Sequence, residues 1–106
     1  MIDNRQITQS TLAEQDIENA LLYYMEESAR LAFSFIDDLE KTIQHIGEHP
    51  SSGSTRYAYE LEIPNLRSRQ LKRFPYLIFY MEEDNSIYVW RVLHAHSNIP
   101  NWMYRQ

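Results

Sequence analysis

Five side chains in the second half of the chain have the types that phosphodiester chemistry requires: Arg67, Arg73, Arg91, His94 and Tyr104. RNA cleavage by 2′-OH attack needs a base for that hydroxyl. It also needs a cation for the charge that develops on the phosphorane and an acid for the departing 5′ oxygen. His94 or Tyr104 fits the acid–base part, and Arg67, Arg73 or Arg91 fits the cation. The same types also serve as ordinary surface charges on strands and on a capping tail, and sequence spacing alone sets no geometry among them. No residue is therefore assigned as catalytic on this basis.

Other chemistries find less support. The chain has no cysteine, which removes the Cys–His nucleophile, thiolate metal sites and any disulfide framework. Its two glycines, Gly47 and Gly53, form no phosphate-cradling loop, and no Gly-x-Ser-x-Gly elbow occurs. His45 and His49 lie four apart, but Gly47 and Pro50 are expected to end the helix between them. His94 and His96 place two imidazoles on one side of an extended segment. Neither pair gains a cysteine, so no metal site and no cofactor are expected.

The elements that must carry these residues are read from the pattern. Leu61–His94 holds five of the ten Lys/Arg and most of the β-prone residues. Three extended runs are expected, at Asn65–Leu71, Tyr76–Glu82 and Ile87–His94. Glu83-Asp84-Asn85-Ser86 forms a polar hairpin turn between the last two. Pro64 and Pro75 bracket the first run, where a missing N–H does least harm.

Upstream, Thr11-Leu12-Ala13-Glu14 fits a capping box, and Leu12, Ala13, Ile17, Ala20, Leu21 and Tyr24 recur at helical spacing to about Glu26. Ser28 is the expected N-cap of a second helix, whose stripe runs Ala29, Ala32 or Phe33, Ile36, Leu39, Ile43 and Ile46. Gly47 and Pro50 mark its end. Asp3–Gln9 reads as a short edge strand. Two helices with one apolar face each bury those faces against each other and a sheet. The expected architecture is α+β: an N-terminal helical hairpin on a small twisted antiparallel sheet, in one domain over 106 residues.

Charge is unevenly placed. Residues 1–50 carry a net −7 and residues 51–106 a net +2, within a total of −5. The basic cluster Arg67, Arg69, Lys72 and Arg73 suits phosphate or an acidic protein partner. The acidic total argues against nucleic acid as the main ligand. No apolar run approaches a membrane span, and a cytoplasmic protein is expected.

In the last strand, Arg91 is costly beneath apolar helices unless paired. Tyr88, Trp90 and Val92 are therefore assigned to the helix side, and Arg91 to the opposite face with Ile87, Val89 and Leu93. That face is either an open partner site or is covered by the tail through Ile99, Trp102 and Met103. On exposure, Arg67, Arg69, Arg73, Arg91, Leu93, Trp102 and Met103 are the expected partner contacts. Tyr23-Tyr24 and Tyr57/Tyr59 are either interface anchors or core-edge packing.

These residues taken in order resemble the ParE toxins of the ParE/RelE superfamily. The matching segments are Ala13-x-x-Asp16-Ile17-x-x-Ala20-x-x-Tyr23, Pro50-x-x-Gly53-x-x-Arg56, the Phe74–Tyr80 strand and Arg91-Val92-Leu93-His94. The tail His96-Ser97-Asn98-Ile99-Pro100-Asn101-Trp102 is similar to the family's Arg-Asp-Ile-Pro-x-Trp ending, with Ser97 and Asn98 replacing Arg-Asp. The resemblance implies a RelE/ParE-like fold and a toxin of a type II toxin–antitoxin operon. It implies a ParD-like antitoxin as partner in a hetero-oligomer, and DNA gyrase as target through binding without chemistry. The alternatives it leaves are a RelE-like ribosome-dependent mRNA endonuclease and a non-toxic relative that acts only within an antitoxin complex.

Overall fold

A computed structural model describes residues 6–100. The order is β1 (Gln6–Gln9), α1 (Thr11–Glu27), α2 (Ala29–Glu48), a 3-10 turn (Pro50–Ser52), α3 (Arg56–Glu60), β2 (Leu66–Gln70), β3 (Tyr76–Glu83) and β4 (Ser86–His94). The helical hairpin lies on a four-stranded sheet of order β1-β4-β3-β2. The β2–β3 and β3–β4 pairs are antiparallel, and β1 adds a parallel edge beside β4. The sheet is therefore mixed, within the α+β class expected.

The hairpin forms where the caps direct it. Ser28 serves both helices: its N–H donates to Tyr24 O at 3.0 Å, and its Oγ accepts from Leu31 N at 3.0 Å. At the first helix the cap is Ser10, one residue before the expected Thr11. Ser10 Oγ accepts from Ala13 N at 2.9 Å and donates to Trp90 O at 2.6 Å. A pairing with β4 thus decides between two adjacent hydroxyl residues.

Gly47 does not stop α2, which continues to Glu48 with His49 as its C-cap. A Cβ at Gly47 would lie 3.3 Å from Ile7 Cδ1, so this glycine lets β1 approach the helix closely. On α2 the buried positions include Ala32, Phe35, Leu39, Thr42 and Ile46, whereas Phe33 is 70% exposed. The stripe runs through Phe35, one position off the expected Ile36, which packs at its margin.

Two apolar clusters lie on opposite sides of the sheet. Toward the helices, Ile78 and Tyr80 of β3 and Ile87, Val89 and Val92 of β4 pack on Ala13, Ala20, Phe35 and Ile46. On the far side, Leu66, Phe79 and Leu93 pack with Leu61 and Ile99, and Tyr57, Ala58 and Trp90 close the margin. The far face is therefore covered among the described residues. Short α3 and the turn after it supply most of the cover; neither is marked by a strong period in the sequence. Ile99 joins as the tail reading expected, and Trp102 and Met103 lie outside the described residues.

The expected facing of β4 is corrected for most of its length. Phe79 pairs with Arg91 and Tyr80 with Val89, so Trp90 is an extra residue in β4. Such a bulge reverses the alternation of side chains beyond it. Ile87 and Val89 face the helices before it and Val92 after it, while Trp90 joins the far cluster. Strict alternation had placed Tyr88 and Trp90 against the helices.

The bulge also decides the fate of Arg91. The residue is 3% exposed and its guanidinium forms a two-pronged pair with Asp16 of α1, Nε to Oδ2 and Nη2 to Oδ1, each 2.8 Å. Asp16 Oδ2 also accepts from Val92 N at 3.0 Å. Beyond Gln9 this edge of β4 has no strand beside it, and α1 supplies the partner that the Val92 amide needs.

Removing Asp16 would leave a buried guanidinium without its carboxylate. Asp16→Ala is expected to cost about 3–5 kcal/mol. The double variant Asp16→Leu, Arg91→Met should recover much of that loss. Urea unfolding of the wild type and both variants measures this, and a loss below about 1 kcal/mol for Asp16→Ala, the range of a surface pair, would contradict it.

Candidate functional site

The basic residues of β2 and the loop after it are positioned by different contacts. Arg67 and Arg69 share the helix-side row of β2, opposite Tyr80 and Ile78. Arg67 Nη1 donates to Ser51 O at 3.1 Å and to Gly53 O at 2.9 Å, while Arg69 Nη1 donates to Ser52 Oγ at 2.6 Å. Both therefore hold the Pro50–Gly53 segment against the sheet. Tyr80 completes the anchor: its hydroxyl donates to Pro50 O at 2.7 Å and accepts from Gly53 N at 3.0 Å. Gly53 is required here, because a Cβ would collide with the Tyr80 ring and hydroxyl.

Asp38, buried on α2, shapes the next turn. Its carboxylate accepts from Lys72 N at 3.2 Å and Arg73 N at 2.8 Å. The backbone is thereby pinned while the exposed Lys72 and Arg73 side chains line a cavity of about 320 Å³ between α2 and β2. Lys41, His45 and Arg69 line the same space, as do Asp38 and Asp37, the latter paired with Lys41 at 3.1 Å, so that cations outnumber carboxylates. A groove of this charge suits an acidic segment of a partner.

The proposed ribonuclease set is not gathered into one site among the described residues. Arg91 is buried against α1, Arg67 is committed to the Pro50–Gly53 carbonyls, and Arg73 lies on the α2 groove. His94 is the last residue of β4, its ring 5.2 Å from Tyr76 and 5.5 Å from His96. His94 Nδ1 accepts from His96 N at 3.1 Å, which assigns the ring proton of a neutral imidazole to Nε2. Tyr104 lies outside the described residues.

Of the residues expected at a partner surface, Arg73 is exposed, and Arg67 and Arg69 are half-buried. The exposure expected of Arg91 and Leu93 is not found: the first is paired and the second sits beneath the far cluster. Another accessible apolar set includes Tyr23, one of the tyrosines expected as either an interface anchor or core-edge packing, and otherwise escaped the sequence reading. Leu22, Tyr23 and Met25 of α1, with Leu31 and Phe33 of α2, stand exposed around the hairpin tip. Of these, Leu22, Met25 and Leu31 fall off both helical stripes, a signal already present in the spacing.

A second cavity, about 270 Å³, opens where α1 meets the end of β4, lined by Asp16, Asn19, Tyr23, Tyr76 and His94 among others. Tyr24 and Tyr76 belong to an aromatic cluster with Phe35 and Phe74, with ring centroids 4.9–6.2 Å apart. Ser97 closes the tail turn, its Oγ donating to His94 O at 2.6 Å.

With this geometry in hand, the similarities of the chain are specific. The family described as ParE toxin of type II toxin-antitoxin system, parDE, matches residues 7–99. The chain belongs to the ParE toxin family. The match runs from β1 to Ile99 and so includes both caps, the Asp16–Arg91 pair and the Pro50–Gly53 anchor. Among solved structures, the ParE-family chain is similar to one from a chromosomal ParDE toxin–antitoxin system of P. aeruginosa. The TM-score is 0.73 at 16% identity, covering 90% of this chain and 100% of the other. That likeness establishes the RelE/ParE-like fold. No curated protein matches the chain significantly.

Burial pushes the Tyr76 phenol up to about 12, with the neighbouring Tyr24 as the next cause. Tyr24 is raised by burial and then by Tyr23. A raised phenol favours the folded state only while it stays protonated. The contribution is complete below the ordinary value near 10.0 and is lost as pH climbs from there toward 12. Urea unfolding in this ParE-family toxin should therefore show stability falling above pH 10, with a smaller fall in Tyr76→Phe. Equal falls in both proteins would place the pH dependence elsewhere.

Proposed function

We propose that this ParE-family toxin acts by binding, that it inhibits DNA gyrase, and that a ParD-like antitoxin neutralises it in a hetero-oligomeric complex. The family match over residues 7–99 carries the reading. Two features of the molecule support action by binding. Two of the three arginines of the candidate ribonuclease set serve the fold: Arg91 balances Asp16, and Arg67 ties down Pro50–Gly53. The chain is also acidic overall, whereas an enzyme working on rRNA-bound message benefits from excess positive charge.

The acidic helices and the basic β2 rim offer an antitoxin two kinds of contact. Arg69, Lys72 and Arg73 form a cationic groove beside α2, and the hairpin tip adds exposed apolar side chains. A segment that combines acidic and apolar residues would complement both. The proposed setting is the cytoplasm; no helix among the described residues is long and apolar enough to cross a membrane.

Purified protein added to gyrase and supercoiled DNA should cause cleaved DNA to accumulate, and the cognate antitoxin should reverse the effect. Arg69→Ala with Arg73→Ala should weaken antitoxin binding by about tenfold or more, in line with the loss of ~1.4 kcal/mol or more from charged contacts. Circular dichroism should confirm that this variant keeps its fold. Normal supercoiling at large molar excess would count against gyrase as target, and ribosome-dependent mRNA cuts would transfer the assignment to an endonuclease.

A further inference from the structure

The last turn of α2 brings together three metal-ligating side chains, of which His45 also lines the α2 groove while Glu48 and His49 stand exposed beyond it. His45, Glu48 and His49 occupy positions i, i+3 and i+4, which share one face of a helix. The break expected at Gly47 does not occur. Helical geometry persists to Glu48, and His49 N donates to His45 O at 2.8 Å. The two imidazole rings consequently lie 4.9 Å apart, and one ligand atom from each of the three residues falls within 4.8 Å of the others.

We propose that His45, Glu48 and His49 form a three-ligand site for a divalent transition-metal ion, with zinc the best fit. Two imidazoles and a carboxylate are a familiar donor set for Zn²⁺, and the fourth position is left to water. Tetrahedral coordination places ligand atoms roughly 3.3 Å apart, given metal–ligand distances of about 2.0–2.1 Å. Small side-chain rotations on an exposed helix end close the remaining gap, since Glu48 and His49 are exposed.

The surroundings favour a cation at this position and also limit its affinity. The carbonyl end of a 20-residue helix presents partial negative charge. The positive charges of Arg69 and Lys72 on the β2 side oppose a dication and so weaken its binding. A bound ion would tie the last turn of α2 to its cap, immediately before the Pro50–Gly53 segment that Tyr80 anchors.

The site is tested with the full chain free of any polyhistidine tag, titrated calorimetrically with zinc alone. One saturable ion per chain is expected, with a melting temperature that rises with zinc concentration. His45→Ala and His49→Ala should each weaken binding tenfold or more, and Glu48→Gln by a few-fold. His96→Ala, which alters the other histidine pair, should leave binding unchanged. Since His49 is exposed, its variant should fold normally, and circular dichroism checks this. Absence of binding up to millimolar zinc, or binding that survives His49→Ala and disappears in His96→Ala, would overturn the proposal.

Discussion

The ion pair between Asp16 and Arg91 connects the two halves of this molecule. Its value comes from position more than from raw electrostatic energy. A buried pair costs desolvation on both sides, and in many proteins it roughly breaks even against an apolar replacement. Here the carboxylate also accepts the Val92 amide, at the part of β4 that has outrun its neighbour β1. Ser10 performs the companion task at Trp90 O, two residues earlier on the same strand. Helix α1 thus takes over from β1 along this edge. Its small Ala13 and Ala20, both buried, let it approach close enough to do so.

The same arrangement explains which parts of the fold were legible in the sequence. The hairpin, the Ser28 cap and the β3–β4 pair all follow from local signals: a hydroxyl before a helical stripe, a polar turn, and runs of β-formers. Asp84 takes a left-handed φ of 51° in that turn, a conformation aspartate tolerates. The facing of β4 was not legible, because the parity argument assumes an unbroken strand. One extra residue at Trp90 reverses it, and nothing in Val89-Trp90-Arg91 marks a bulge. The reasoning that an arginine needs a partner was sound, but the partner lies seventy-five residues away, on the helix it was expected to avoid.

Short elements were illegible for a related reason. Helix α3 spans five residues, too few to show a period. It is defined by what it covers: Tyr57 packs on Phe79 with ring centroids 5.2 Å apart, while Tyr59 points away and is 89% exposed. The chain then reverses through Glu62 and Asn65, both at positive φ. Asparagine is suited to that conformation and glutamate is not; at Glu62 the turn is held by the backbone bonds that close α3, Glu62 N to Tyr59 O at 3.4 Å and Ile63 N to Ala58 O at 3.1 Å. Of the candidate site, the basic residues of β2 and its loop were legible as a cluster. Their division into anchoring and groove-lining roles was not, because it depends on where the Pro50–Gly53 carbonyls come to lie.

That division bears on what a small toxin can do with its charges. In a chain of 106 residues, a polar side chain that holds a loop is not free to act on a substrate. Arg67 makes two carbonyl contacts and Arg91 makes two carboxylate contacts. Either arginine would have to give these up before it could meet a phosphorane. Lys72 and Arg73 differ, because Asp38 binds their backbone amides and leaves the side chains to the groove. The fold therefore fixes the position of these two cations through the main chain while keeping their charges available. This arrangement suits recognition of a partner's acidic surface, since it needs preorganised charge and no proton transfer.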